Sequence, residues 1–178
     1  MNLKSVSSLA AVAAALTLAA PAQAATFVYS TILASAGEPV PTSTATGAAV
    51  VEFDNATNVV TVLMSWAGLI GTGPFGHIHC CTAVAGTGSA GVSVGFTPLV
   101  NAQTGSYVST FSLTGTAFNT LLTGVNDGKA YVNIHTPGTY AGGEIRGFLA
   151  PIPEPGSYAL MLSGLAIVGW VARRQKRA

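Results

Sequence analysis

An all-β domain, built as an antiparallel sandwich or small barrel, is predicted by two patterns and a scarcity. Short segments rich in β-branched and aromatic residues alternate apolar and polar positions, and clusters of Gly, Pro, Asn and Asp separate them. Helical character is confined to a single stretch inside the domain. A signal peptide precedes the domain and one C-terminal hydrophobic helix follows it. The expected division is 1–24, 25–150, 151–155 and 156–178.

In the first segment, Lys4 precedes an apolar run from Leu9 to Ala20, and Ala22-Gln23-Ala24 forms a small-residue cleavage site. That is a secretory signal peptide, cut before Ala25 by signal peptidase. Thr26–Leu33 reads as a first strand and Ala36–Ser43, with its two prolines, as a loop. Thr46–Phe53 and Val59–Trp66 read as a hairpin closed by Asp54-Asn55-Ala56-Thr57-Asn58. The Gly-rich loop Gly68–Gly76 delivers the chain into His77-Ile78-His79-Cys80-Cys81. A Gly- and Ala-rich connection holds a short strand near Val92–Phe96, and Ser106–Leu113 alternates as a further strand. Thr116–Leu122 is the one helix, with Thr116 as its candidate N-cap, and Asn126-Asp127-Gly128 is a turn.

The last stretch, Lys129–Gly147, reads as a long-looped hairpin. Alternation places Tyr131, Asn133 and His135 on one face, and Val132 and Ile134 on the other. Glu144 and Arg146 share a face, opposed by Ile145. A polar network of Asn133, Glu144 and Arg146 beside the imidazoles would fix the register of such a sheet.

Charge narrows the function. The whole chain carries +1, but the 25–150 domain sets Lys129 and Arg146 against Glu38, Glu52, Asp54, Asp127 and Glu144, a balance of −3. A weakly acidic domain without a basic patch argues against nucleic-acid binding.

The chain has three histidines, and two of them form the His77-x-His79 pair. On a strand this pair shares a face and meets His135 if the two segments are neighbours. Three histidines make a zinc ligand set and also suit copper, with Glu144 as a fourth ligand or as an orienting group. Because ligation needs neutral imidazole, such a site weakens below about pH 6.5. No nucleophile–base pair or carboxylate dyad accompanies the histidines, so no enzymatic activity is expected. A two-metal site like that of the superoxide dismutase sandwich, which also carries H-x-H, needs more histidines than this chain has.

Cys80 and Cys81 are the only cysteines and face an oxidising compartment after export. Across a trans peptide their Cα atoms would stand about 3.8 Å apart, closer than usual disulfide geometry. A vicinal disulfide, soft metal ligation and an intermolecular bridge all remain open, the first being preferred.

Pro151–Pro155 is a linker containing Pro153-Glu154-Pro155. From Gly156 to Ala172 there is no charge over 17 positions, enough for a helix of roughly 26 Å, and Arg173, Arg174, Lys176 and Arg177 follow. These three parts in order resemble a PEP-CTERM sorting signal. The resemblance implies an exosortase-type transpeptidase, a transient stay in the inner membrane, and delivery to the cell surface or extracellular matrix of a Gram-negative bacterium. A permanent single-span anchor is the plainer alternative.

Within the domain, the segments Gly37-Glu-Pro-Val-Pro41, Thr46-Gly47, His77-Ile-His79, Ala130–Thr136 and Gly143–Gly147 resemble the CHRD domain, the module named from chordin. The resemblance spans Thr26–Leu149 and implies an all-β, immunoglobulin-like fold. Chordin itself is extracellular and binds growth factors, an activity that does not carry over to bacterial members. The expected function is therefore an exported, non-enzymatic binding or structural module whose partner is matrix polysaccharide or a surface protein. The alternative is a mononuclear copper or zinc protein using the three histidines.

Overall fold

The computed structural model describes residues 25–96, 99–152, 161–168 and 173. The signal peptide, Pro153-Glu154-Pro155 and the basic residues Arg174, Lys176 and Arg177 lie outside them, as does most of the expected 156–172 helix. Residues 161–168 are helical and exposed. Among the described residues, no helix is long and apolar enough to cross a membrane.

The domain strands are β1 (Thr26–Ala34), β2 (Thr46–Asp54), β3 (Val59–Ala67), β4 (Phe75–His79), β5 (Val92–Phe96), β6 (Gly105–Ser112), β7 (Tyr131–His135), β8 (Ile145–Phe148) and β9 (Ala150–Pro151), with helix α1 (Gly115–Asn126) between β6 and β7. They form one sheet in the order β5-β4-β7-β8-β1-β2-β3-β6, with β9 added on β1. Every pairing is antiparallel. The sheet curls until its two ends face each other, where the Phe96 ring of β5 lies 5.5 Å from Tyr107 and 5.9 Å from Phe111 of β6. The result is the small, nearly closed barrel that the alternating segments call for.

Residues opposed across a pair share a face, so register decides what is inside. Val51 opposes Val62, and Ala49 opposes Met64. Together with Tyr29, Leu33, Phe53, Val60 and Trp66 they line the interior. Ile78, Val132 and Ile134 extend the same core into β4 and β7. Helix α1 plugs the barrel with Phe118, Leu121 and Val125, and the Phe118 ring meets Phe53 edge-on at 5.7 Å. The Tyr29 hydroxyl donates to Asn126 Oδ1 at the end of this helix.

The helix is longer than its sequence pattern indicates. Thr114, rather than Thr116, is the N-cap, and its Oγ1 accepts from the Ala117 amide at 3.3 Å. At the other end, Asn126 is the last helical residue, and the turn expected at Asn126-Asp127-Gly128 follows at Asp127 and Gly128. Gly128 takes φ +68°, and the amides of Gly128 and Lys129 return to the carbonyls of Val125 and Gly124. Burial of Val125 carries the helix through residues with weak helical preference.

Candidate metal centre

β4 and β7 place the three imidazoles. Their pairing sets Phe75 opposite His135, His77 opposite Asn133, and His79 opposite Tyr131. All six side chains therefore lie on the face turned away from the barrel interior. Loops cover that face, so His79 and His135 are buried and only His77 is partly open. The His135 ring stacks on Phe75 at 4.8 Å, and the His79 ring stacks on Tyr131 at 4.8 Å. These contacts hold both rings in place from one side.

The nitrogen atoms converge. His77 Nδ1 lies 3.1 Å from His135 Nε2, and His79 Nε2 lies 3.4 Å from His135 Nε2. One ligand nitrogen from each ring falls within 4.8 Å of the others. Nitrogens bound to one tetrahedral zinc ion at 2.0–2.1 Å stand roughly 3.3 Å apart, so the spacing suits a single ion.

The loops also set the tautomers. His79 Nδ1 lies 2.9 Å from the Ala90 carbonyl, and His135 Nδ1 lies 3.1 Å from the Ala141 carbonyl. A carbonyl only accepts, so each Nδ1 carries the proton and each neutral ring turns a bare Nε2 lone pair into the cluster. An imidazole held by a carbonyl on its far nitrogen is the usual support of a metal-ligating histidine.

Electrostatics keep the rings neutral. Burial, followed by the neighbouring His77, pushes His135 down to about 4. Burial also lowers His77, with His79 adding to it. In His79, burial outweighs the hydrogen bonds to the 90–91 backbone that favour the charged form. The set is three neutral nitrogens with an open side at His77.

A family model for the CHRD domain matches residues 29–149, more than half of the chain. The chain belongs to the CHRD domain family. Residues 151–177 match the PEP-CTERM protein-sorting motif. That motif marks an exported chain sorted to the surface of a Gram-negative bacterium through an exosortase-type enzyme. No curated protein and no solved structure matches the chain.

In this CHRD domain, Glu144 is not part of the histidine group. Its carboxylate is fully buried and engaged on both oxygens: Oε1 accepts from Ser43 Oγ at 2.8 Å and the Ile70 amide at 2.6 Å, and Oε2 accepts from Thr136 Oγ1. It ties three loops together and lies outside the group of His77, His79 and His135.

The polar network beside the histidines is likewise built on a different acid. Asn133 Nδ2 donates to Glu38 Oε1 at 3.0 Å, and Arg146 Nε stands 4.0 Å from Glu38 Oε2. The Arg146 guanidinium lies 5.0 Å over the Tyr131 ring and donates to the carbonyls of Gly37 and Gly88. Burial pushes the Glu38 carboxyl up to about 7 against the pull of Arg146. Asn133 and Arg146 thus hold the places their alternation gave them, while Glu38 takes the role expected of Glu144. Sequence spacing hid Glu38 in a proline-rich loop, and the one signal for it was the Gly37-Glu-Pro segment of the CHRD motif.

The cysteines settle as a vicinal disulfide. Cys80 and Cys81 are bonded across a cis peptide, with Cα atoms 3.0 Å apart. Neither sulfur is a thiolate available to the three-histidine group.

Proposed function

We propose that this protein is an exported, non-enzymatic surface module that holds one copper or zinc ion through His77, His79 and His135. The carrying observation is the pair of bare Nε2 atoms on His79 and His135. Without a metal, His77 Nδ1–H can donate to His135 Nε2, but His79 Nε2 is left facing a second acceptor. A cation bound by all three nitrogens removes that mismatch, and three neutral imidazoles suit copper or zinc. The chemistry an ion would supply here is Lewis acidity or, for copper, one-electron exchange. Among the described residues, the side-chain hydrogen bonds of the three imidazoles run to one another and to backbone carbonyls, so none of them is paired with a nucleophile, which favours a binding or structural role. The sorting motif supports a route through the inner membrane to the cell surface or matrix.

Metal analysis of the exported protein tests the reading. About one copper or zinc ion per chain is expected, removed by chelation and lost in the His79→Ala and His135→Ala variants. Wild-type protein that stays metal-free with excess copper and zinc, at unchanged thermal stability, overturns it. Mass spectrometry of the exported form tests the route: a chain still ending at Ala178 defeats removal of the tail.

A further inference from the structure

We infer that the groove between helix α1 and the Cys80–Cys81 disulfide is a binding site for a neutral oligosaccharide. This site is separate from the histidine cluster and does not depend on a metal.

The groove is a solvent-open depression of about 440 Å³, and Cys81, Asn119, Thr120, Thr123, Asp127 and Lys129 line it. Its floor is tied by backbone hydrogen bonds. The Thr82 amide donates to the Lys129 carbonyl at 3.0 Å, and the Lys129 amide donates to the Gly124 carbonyl at 2.7 Å. A side chain at position 124 would strike both sulfurs, so glycine lets the disulfide lie directly on the helix. A floor joined in this way is ordered before a ligand arrives, which lowers the cost of binding.

The walls match polyhydroxylated ligands. Asn119, Thr120 and Thr123 are exposed on the outer side of α1, opposite the buried Phe118, Leu121 and Val125. Among the described residues, their side chains make no hydrogen bond within the protein. An amide and two hydroxyls both donate and accept, as sugar hydroxyls do. Lys129 Nζ stands 3.7 Å from Asp127 Oδ2, so the charges offset and neither sign of ion is selected. The exposed Cys81 sulfur offers a polarizable surface that makes few hydrogen bonds, against which the C–H face of a pyranose can lie. No large apolar side chain lines the groove for a lipid tail, and its one cation, Lys129, is already paired with Asp127, which argues against a phosphate ligand.

Titration of the 15N-labelled exported protein with cellopentaose, maltopentaose and chitopentaose, in the presence of EDTA, tests this. At least one should give saturable amide shifts at millimolar concentration confined to the Cys81–Thr82 and Asn119–Lys129 segments. Asn119→Ala and Thr123→Val are exposed changes, and each should weaken binding about 3- to 10-fold. The proposal is overturned if none of the three sugars produces such shifts, if the shifts fall on the histidine face, or if both variants bind unchanged. Binding confined to an anionic oligosaccharide, and lost in Lys129→Gln, overturns the neutral assignment.

Discussion

The Nε2 atoms of His79 and His135 face each other at 3.4 Å, and both are acceptors. Two loop carbonyls enforce this, because Ala90 and Ala141 each take the Nδ1 proton of one ring. Two lone pairs directed at each other in a buried setting are unfavourable unless a cation lies between them.

The rings that stack on the histidines should matter for the ion without touching it. Phe75 lies parallel to His135 at an interplanar angle of 3°. Phe75→Ala should lower stability by about 1 kcal/mol and weaken copper or zinc binding about 10-fold while keeping one ion per chain. Titration calorimetry with each metal measures this, and unchanged affinity would count against an oriented ligand set.

The acid response of the metal-free protein follows from the direction of the histidine shifts. His135 sits at about 4 in the folded chain and about 6.5 when unfolded, so the unfolded chain takes up the proton first. Its contribution is complete above about pH 6.5 and is lost as pH falls toward 4. Glu38 runs the other way. With a folded value of about 7 against 4.5, its contribution is complete below 4.5 and is lost as pH rises through 7. The two slopes oppose each other, so Glu38→Gln should expose a steeper rise of stability between pH 4.5 and 6.5. Urea midpoints across that range measure it, and identical slopes in variant and wild type would contradict it.

Glu144 separates structural from metal roles. It accepts from Ser43, Ile70 and Thr136 while fully buried. Glu144→Ala should cost about 3 kcal/mol or more, because it leaves three donors unpaired. If the variant folds at low temperature, it should still bind one metal ion. Loss of binding with the fold intact would return Glu144 to the ligand set.

Removing the cap should shorten the helix. Thr114→Ala takes away the oxygen that receives the Ala117 amide, and a loss of about 1 kcal/mol in thermal or chaotrope unfolding is expected.

Much of the barrel is legible in the chain because strand alternation has period two. Val60, Val62, Met64 and Trp66 declare the inner face of β3 without any neighbour. The same rule places His77 with His79 and Asn133 with His135. The helix ends were less legible. Thr116 and Thr114 are both plausible caps by residue type, and only burial of Phe118 and Val125 selects the frame. The role of Glu38 was signalled only by the Gly37-Glu-Pro segment, and the part that Glu144 plays in tying loops together was not legible. Alternation says which way a carboxylate points but not which loop folds over it.

By itself, the sequence determined the exported address, the all-β class and the faces of each strand, because these depend on local composition and pleating. Tertiary structure alone decided that β4 pairs with β7 and brings His77 and His79 to His135. It also chose Glu38 over Glu144 as the acid beside them, and it turned two loop carbonyls toward the rings. Those outcomes depend on contacts between segments far apart in the chain, which no local pattern records.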